Sequence, residues 1–315
     1  MSVSFPVKVY FPADSSWANL NGTRTPTFAW SAILRAAMVA GYPDLSSIPS
    51  PQFARWRTAA LRLALPRSGG QLIQPPEWAL LDQSEKAAVS SLLGVVVTKL
   101  LVERLLNAPL LLFLGVYFTL TFPPGVEKVR PDFAAMTPSG DWFSVEAKGK
   151  SRFRQATLEN GKTQAGALGT VNGQAVETAI VCVTSFRGRR MEARFVDPPP
   201  PGTPRLAARI ENEQVLHHYY NALFRFRQFS ERLGPQGLPA IERRVSLWQS
   251  TDLDLKFGLL PDLEEALQEH STERALAVLK RIPDSPQINQ NPNLGSDGII
   301  VIPGESWHDE HRTPH

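Results

Sequence analysis

The chain is almost without cysteine. Cys182 stands alone among 315 residues, so no intrachain disulfide and no cysteine zinc cage can form. That scarcity fits a reducing compartment, and a cytoplasmic protein is the expectation. The N-terminus, MSVSFPVKVYFPADSS, lacks a basic stretch followed by an apolar one, so no secretory leader is expected. Leu105 to Phe122 carries no charge, but Asn107 and Pro109 interrupt it. Its length sits at the lower limit for a membrane span. The end of a buried helix followed by a buried strand is expected there, and no membrane contact. P-loop, G-x-G-x-x-G, G-x-S-x-G and H-E-x-x-H patterns are all missing. So are internal repeats.

What is present reads as a folded protein of mixed composition. Hydrophobic residues make up 43% and charged residues 20%, and the length suits roughly two domains of ~150 residues. The 27 prolines predict many stiff turns. Net charge is only +3, yet Lys128 to Arg194 holds 11 Lys/Arg against 6 Asp/Glu. A positive surplus confined to one segment fits a polyanionic partner.

Residues 1–80 read as an accessory region with a short strand at Val7–Phe11. Helices are expected at Ala29–Ala40 and Pro51–Leu65, the second with Arg55, Arg57 and Arg62 on its polar side. Pro66–Pro76 reads as a loop. A helix then starts with Asp82 or Ser84 as its cap, Asp82 having capping-box spacing to Glu85, and runs to about Leu106. Glu103 lies on its apolar stripe beside Leu92, Val96 and Leu100, where a carboxylate needs a partner such as Lys99, or a metal. Leu110–Leu120 reads as one buried strand, Gln155–Leu168 as a helix, Thr178–Phe186 as a strand, and Met191–Val196 as its antiparallel return. Residues 198–204 form a proline-rich linker. Beyond it, 205–305 reads as mainly helical. A long aromatic helix is expected at Leu206–Leu233, one or two strands within Val245–Leu260, helices at Pro261–Glu269 and Thr272–Arg281, and a last strand at Ile299–Ile302. The tail 306–315 reads as disordered. His308, His311 and His315 in it are taken as solvated, the adjacent His217 and His218 point apart on a helix, and Cys182 is inert core.

The most informative stretch is Val129–Arg154. Along Asp141–Lys148 the side chains alternate, so Trp142, Ser144, Glu146 and Lys148 share one face and Phe143, Val145 and Ala147 the other. A three-residue turn, Pro138-Ser139-Gly140, with glycine in the left-handed position sets Thr137 opposite Asp141. Counting back, Asp132 then faces Glu146, with Cβ atoms ~4.5–5.5 Å apart. Two carboxylates so close repel unless a hard divalent cation compensates, and Mg²⁺ (or Mn²⁺) suits one or two carboxylates plus phosphate oxygens. Lys148 then stands where it can hold or deprotonate an attacking water and stabilise phosphoryl charge. Lys150, Arg152, Arg154, Lys162, Arg187, Arg189 and Arg190 are expected to meet a nucleic-acid backbone.

Pro131-Asp132 followed by Glu146-Ala147-Lys148 resembles the signature of the PD-(D/E)xK nuclease superfamily, over roughly residues 82–197. The resemblance implies a restriction-endonuclease-like α/β fold running helix, three strands, helix, strand. It implies that Asp132, Glu146 and the Ala147 carbonyl bind Mg²⁺ and that Lys148 is the catalytic amine. Glu103 on the first helix and Gln164 on the later one match auxiliary positions of the family, with Lys162 a second choice. Expected with it are a DNA substrate, 5′-phosphate products, a role in restriction, defence or repair, and a homodimer or partner protein engaging the N- or C-terminal regions. The competing reading is a nucleic-acid-binding or scaffolding protein on the same fold without catalysis.

Overall fold

A computed structural model describes residues 2–41, 52–64, 67–68, 70–74, 76–125, 128–197, 205–283 and 291–307. The expected linker and residues 308–315 lie outside these. Four sheets and the helices between them build a mixed α/β structure.

The N-terminal part contributes β1 (Ser2–Ser4), β2 (Val7–Tyr10), β3 (Gly22–Arg24), β4 (Thr27–Ala29), α1 (Trp30–Val39), α2 (Gln52–Ala64), β5 (Arg67–Ser68) and β6 (Gln71–Leu72). The expected strand and both helices are present. The expected loop 66–76 instead holds the pair β5–β6. Arg57 is not on a solvated face: it is buried and donates to the Ala40 carbonyl.

The long helix α3 (Gln83–Leu106) begins as the sequence indicates. Asp82 accepts from the Glu85 N–H, and the Glu85 carboxylate accepts from the Asp82 N–H, closing a capping box. Next come β7 (Leu110–Phe113), the single turn α4 (Leu114–Tyr117), β8 (Thr119–Thr121), β9 (Phe133–Met136) and β10 (Trp142–Gly149). The unbroken strand expected over Leu110–Leu120 is therefore wrong. β7 pairs with β9 from Leu110–Met136 to Phe113–Phe133, and the ladder ends where Leu114 N–H meets the Asp132 carbonyl at 2.9 Å. The chain then coils once and sends β8 into a different sheet, against β15 (Leu206–Arg209).

After β10 follow α5 (Gln155–Gly166), β11 (Leu168–Val171), β12 (Gln174–Ala175), β13 (Thr178–Arg187) and β14 (Arg190–Val196). The largest sheet has the order β3-β2-β14-β13-β10-β9-β7. β10 and β13 are parallel, and β14 returns antiparallel to β13 as expected. The succession helix, three strands, helix, strand is present as α3, β7, β9, β10, α5 and β13, with α4, β8, β11 and β12 interposed.

The two faces of this sheet differ. On one, Phe143, Val145, Ile180 and Cys182 join α3 in the main apolar core. A Cβ on Gly149 would overlap the Ser90 carbonyl, and one on Gly94 would meet the Gly149 backbone, so β10 and α3 touch main chain to main chain. On the other face, Val181 and Val183 pack under Leu158 of α5. Ser144 donates to the Ala165 carbonyl there at 2.5 Å, which fixes α5 over the functional face of β10.

The C-terminal part is not largely helical. α6 (Asn212–Arg227) is shorter at both ends than the helix expected over Leu206–Leu233. It is followed by a second sheet of β16 (Glu231–Leu238), β17 (Ile241–Ser250), β18 (Leu255–Leu259) and β19 (Ile299–Pro303), with α7 (Pro261–Gln268) and α8 (Thr272–Arg281) between β18 and β19. β16 contains Gly234, Pro235 and Gly237 and makes two register shifts against β17, so its strand character comes from pairing and not from propensity. Ser306 and Trp307, expected in a disordered tail, lie in a single 3₁₀ turn with Glu305. Trp307 is buried and its indole donates to the Leu253 carbonyl. One apolar cluster runs from Val3 to Trp307, through all these parts. No described helix is long and apolar enough to cross a membrane.

Candidate active site

The β9–β10 turn follows the register read from sequence. Thr137 N–H donates to the Asp141 carbonyl at 3.0 Å, and Gly140 N–H donates to the Thr137 carbonyl, also at 3.0 Å. Gly140 has φ of 94°, where a side chain is strained. The ladder runs from Trp142–Met136 to Val145–Phe133, so the next pair in register is Asp132 and Glu146.

That pair is locked reciprocally. Asp132 N–H donates to Glu146 Oε2 at 2.8 Å, and Ala147 N–H donates to Asp132 Oδ2 at 3.3 Å. Glu146 is fully buried, and its Oε1 ion-pairs with the ammonium of Lys148 but takes no hydrogen bond. Lys148 itself remains partly exposed. Burial and the adjacent Asp132 carboxylate push the Glu146 carboxyl up to about 7. Burial likewise raises Asp132, against the pull of Lys148 and Arg130.

Asp132 opens onto a cleft of about 530 Å³. Gln164 lines it, together with Asn160 and Thr163 from the same face of α5. Phe113, Gly115, Lys128 and Arg130 form the facing wall. Sequence reasoning missed Arg130 and Lys128, which it counted only toward the charge of the segment. Their signal was position: Arg130 stands two residues before Asp132.

Glu103 does not belong to this site. It projects from α3, on the opposite face of the sheet, into a buried ionic cluster. Arg35 donates to its Oε1 and Lys99 to its Oε2, both at 2.7 Å, and Ser296 adds N–H and hydroxyl bonds at 3.1 and 2.5 Å. Asp297 completes the cluster, 3.3 Å from both cations, and accepts from the Tyr219 hydroxyl at 2.7 Å. Burial alone would raise the Glu103 carboxyl, but Arg35 and Lys99 hold it far below the usual carboxylate range. The assignment failed because the stripe position signalled burial correctly, while Arg35 and Asp297 are too distant in sequence to be seen as partners.

None of the basic residues expected to bind nucleic acid lines this cleft. Arg152 and Arg189 line a separate cavity of about 680 Å³ with Lys86, Trp78 and Phe186. Lys162 is ion-paired with Glu159 at 3.1 Å. Lys150, Arg154, Arg187 and Arg190 are exposed.

No family model, curated protein or solved structure matches this chain. Function must be read from the site itself. No group of three or more His, Cys, Asp or Glu side chains among the described residues is placed to hold a metal ion. Mg²⁺ does not need one, since it keeps several waters and uses one or two carboxylates. The pair Asp132 and Glu146 fits such an ion on its own chemistry: two adjacent carboxyls that repel, one buried and one lining the cleft.

Proposed function

We propose that this protein is a metal-dependent nuclease built on a restriction-endonuclease-like core, hydrolysing phosphodiester bonds, with DNA the preferred substrate. The observation that carries the reading is the pairing of Asp132 with Glu146 in register, with Lys148 ion-paired to Glu146 and Asp132 lining a cleft. The order α3, β7, β9, β10, α5, β13 supports the fold part of the reading.

In this reading Asp132, Glu146 and the Ala147 carbonyl hold Mg²⁺ or Mn²⁺. The bound ion supplies Lewis acidity to the phosphate and lowers the pKa of a coordinated water. The chain's own groups do the rest. The reciprocal bonds through the Asp132 and Ala147 N–H groups fix both carboxylates before substrate arrives, so little reorganisation is needed. Lys148 Nζ, which pairs with Glu146 in the free protein, would orient the attacking water and donate to a non-bridging phosphate oxygen. Water adds to phosphorus as the P–O bond to the leaving sugar oxygen breaks, the water's proton passes to solvent, and a solvent proton neutralises the departing oxygen. Gln164 stands on the cleft wall to steady the same phosphate group.

Asp132→Ala, Glu146→Ala and Lys148→Ala are each expected to abolish cleavage of plasmid and oligonucleotide substrates, with unchanged circular dichroism, and EDTA to do the same. Cleavage that persists in all three variants refutes the assignment. The direct Glu146–Lys148 ion pair favours a second reading, a nucleic-acid-binding protein whose pair is permanently closed. Salt-sensitive binding without hydrolysis in Mg²⁺ or Mn²⁺ is its signature.

A further inference from the structure

The cleft beside Asp132 is asymmetric in a way that the carboxylate pair does not explain. One wall is a row of neutral polar side chains on one face of α5, Asn160, Thr163 and Gln164. The other carries two cations, Lys128 and Arg130, both exposed and neither in an ion pair among the described residues. The Arg130 guanidinium lies across Gly115 of α4. A Cβ there would stand only 2.7 Å from its Nη2, so a side chain at 115 would displace it. Gly115 has no left-handed φ that calls for glycine. In the middle of a helical turn glycine costs about 1 kcal/mol against alanine. The bare position leaves the guanidinium room to lie against α4.

We propose that Lys128 and Arg130 clamp a phosphate next to the scissile one, on a single nucleic-acid strand laid in this cleft. The proposal rests on the nuclease reading for the position of the scissile phosphate. The strand is single because a cleft of about 530 Å³ encloses a small-molecule-sized group, one nucleotide or so, and not a duplex. A guanidinium forks onto phosphate oxygens and Lys128 adds a point charge beside it. The amides of Asn160 and Gln164 face the base from across the cleft, and the half-buried ring of Phe113 offers an apolar wall. Such a site reads little sequence, because phosphate contacts position a strand without specifying it.

The test is binding by fluorescence anisotropy, in EDTA, using the full chain carrying Asp132→Asn, which removes both cleavage and the nearby negative charge. The probes are a labelled 20-nucleotide single-stranded DNA and its duplex. The single strand is expected to bind at least about tenfold tighter than the duplex. Arg130→Ala should weaken it by about tenfold, the worth of one lost charged contact. Gly115→Ala should do nearly the same, with Arg130 still present. Each lost contact should lower the slope of log affinity against log salt by about 0.7. Arg243→Ala, which lines another pocket and is ion-paired to Asp262, is the control and leaves binding unchanged.

Equal or tighter duplex binding overturns the proposal, and so does unchanged affinity in Arg130→Ala. If Gly115→Ala fails to fold, Arg130→Ala decides alone. The nuclease reading is judged separately, with the native chain in Mg²⁺. Clamp-dependent binding without hydrolysis refutes that reading and leaves the clamp. Lys148-dependent hydrolysis with duplex preferred refutes only the clamp.

Discussion

Glu103 and Glu146 are both buried carboxylates next to a lysine, one on each face of the same sheet, and they are held in opposite ways. Glu103 has four donors, and its cluster balances two cations, Arg35 and Lys99, against two anions, Glu103 and Asp297. Glu146 has one backbone donor, one ammonium and a second carboxyl beside it. The first arrangement is complete and ties α1, α3, α6 and the segment before β19 together. The second has two carboxyls against the one ammonium bonded to them, and reaches a cleft through Asp132. Burial of charge is common to both, so burial alone does not mark function. The unsatisfied balance does.

The largest expected effect comes from breaking the balanced cluster. Glu103→Ala leaves two buried cations facing one anion, and the cost should be about 3–5 kcal/mol in urea denaturation. Lys148→Ala should cost far less, because Lys148 is partly exposed and the site is already unbalanced. A Glu103→Ala protein that is as stable as Lys148→Ala would erase the distinction.

The two carboxylates also give pH dependences of opposite sign. Glu103 titrates far below its ordinary value of 4.5 in the folded chain. Its stabilisation is complete above that value and is lost as the pH falls below it. Glu146 titrates above its ordinary 4.5, at about 7. Its contribution is complete below the unfolded value and is lost as the pH rises through about 7, a swing of roughly 3 kcal/mol in the metal-free chain. Glu146→Gln should remove the alkaline loss and leave the acid one. Melting curves from pH 2 to pH 9 in EDTA measure both, and an alkaline loss that survives Glu146→Gln assigns it elsewhere. Mg²⁺ should restore part of the stability at about pH 8 in the native chain but not in Asp132→Ala, since a ligand stabilises only the state that binds it.

What the sequence revealed and what it hid follow the same division. The hairpin was legible because its information is local: a turn of three residues, strict alternation, and a register counted from Gly140. The helix start at Asp82 was legible for the same reason. For Glu103 the partner Lys99, four residues back, was legible, but Arg35 and Ser296 were not, since no periodicity reports a contact across that distance. β16 was misread because Gly234, Pro235 and Gly237 deny it any local preference, and only pairing with β17 makes it a strand. The break after Phe113 was hidden in an apolar run whose composition suits a strand or a turn of helix equally.

A third ion pair tests how far the contrast extends. Arg227 and Glu264 meet at 2.7 Å, each 14% exposed, with the Arg227 guanidinium stacked on Trp248. Nε and Nη2 of Arg227 take no hydrogen bond, so the desolvation of this cation is only partly offset by Glu264. Burial accordingly lowers its proton affinity despite the carboxylate. Most of its contribution should then be the packing of its stem and plane against Trp248 and Phe224. Arg227→Met keeps an apolar chain of similar length, and paired with Glu264→Gln it should change stability by less than about 1 kcal/mol. A loss as large as that of Glu103→Ala would mean that partial satisfaction suffices for a structural ion pair, and the charge balance argued for the Glu103 cluster would lose its force.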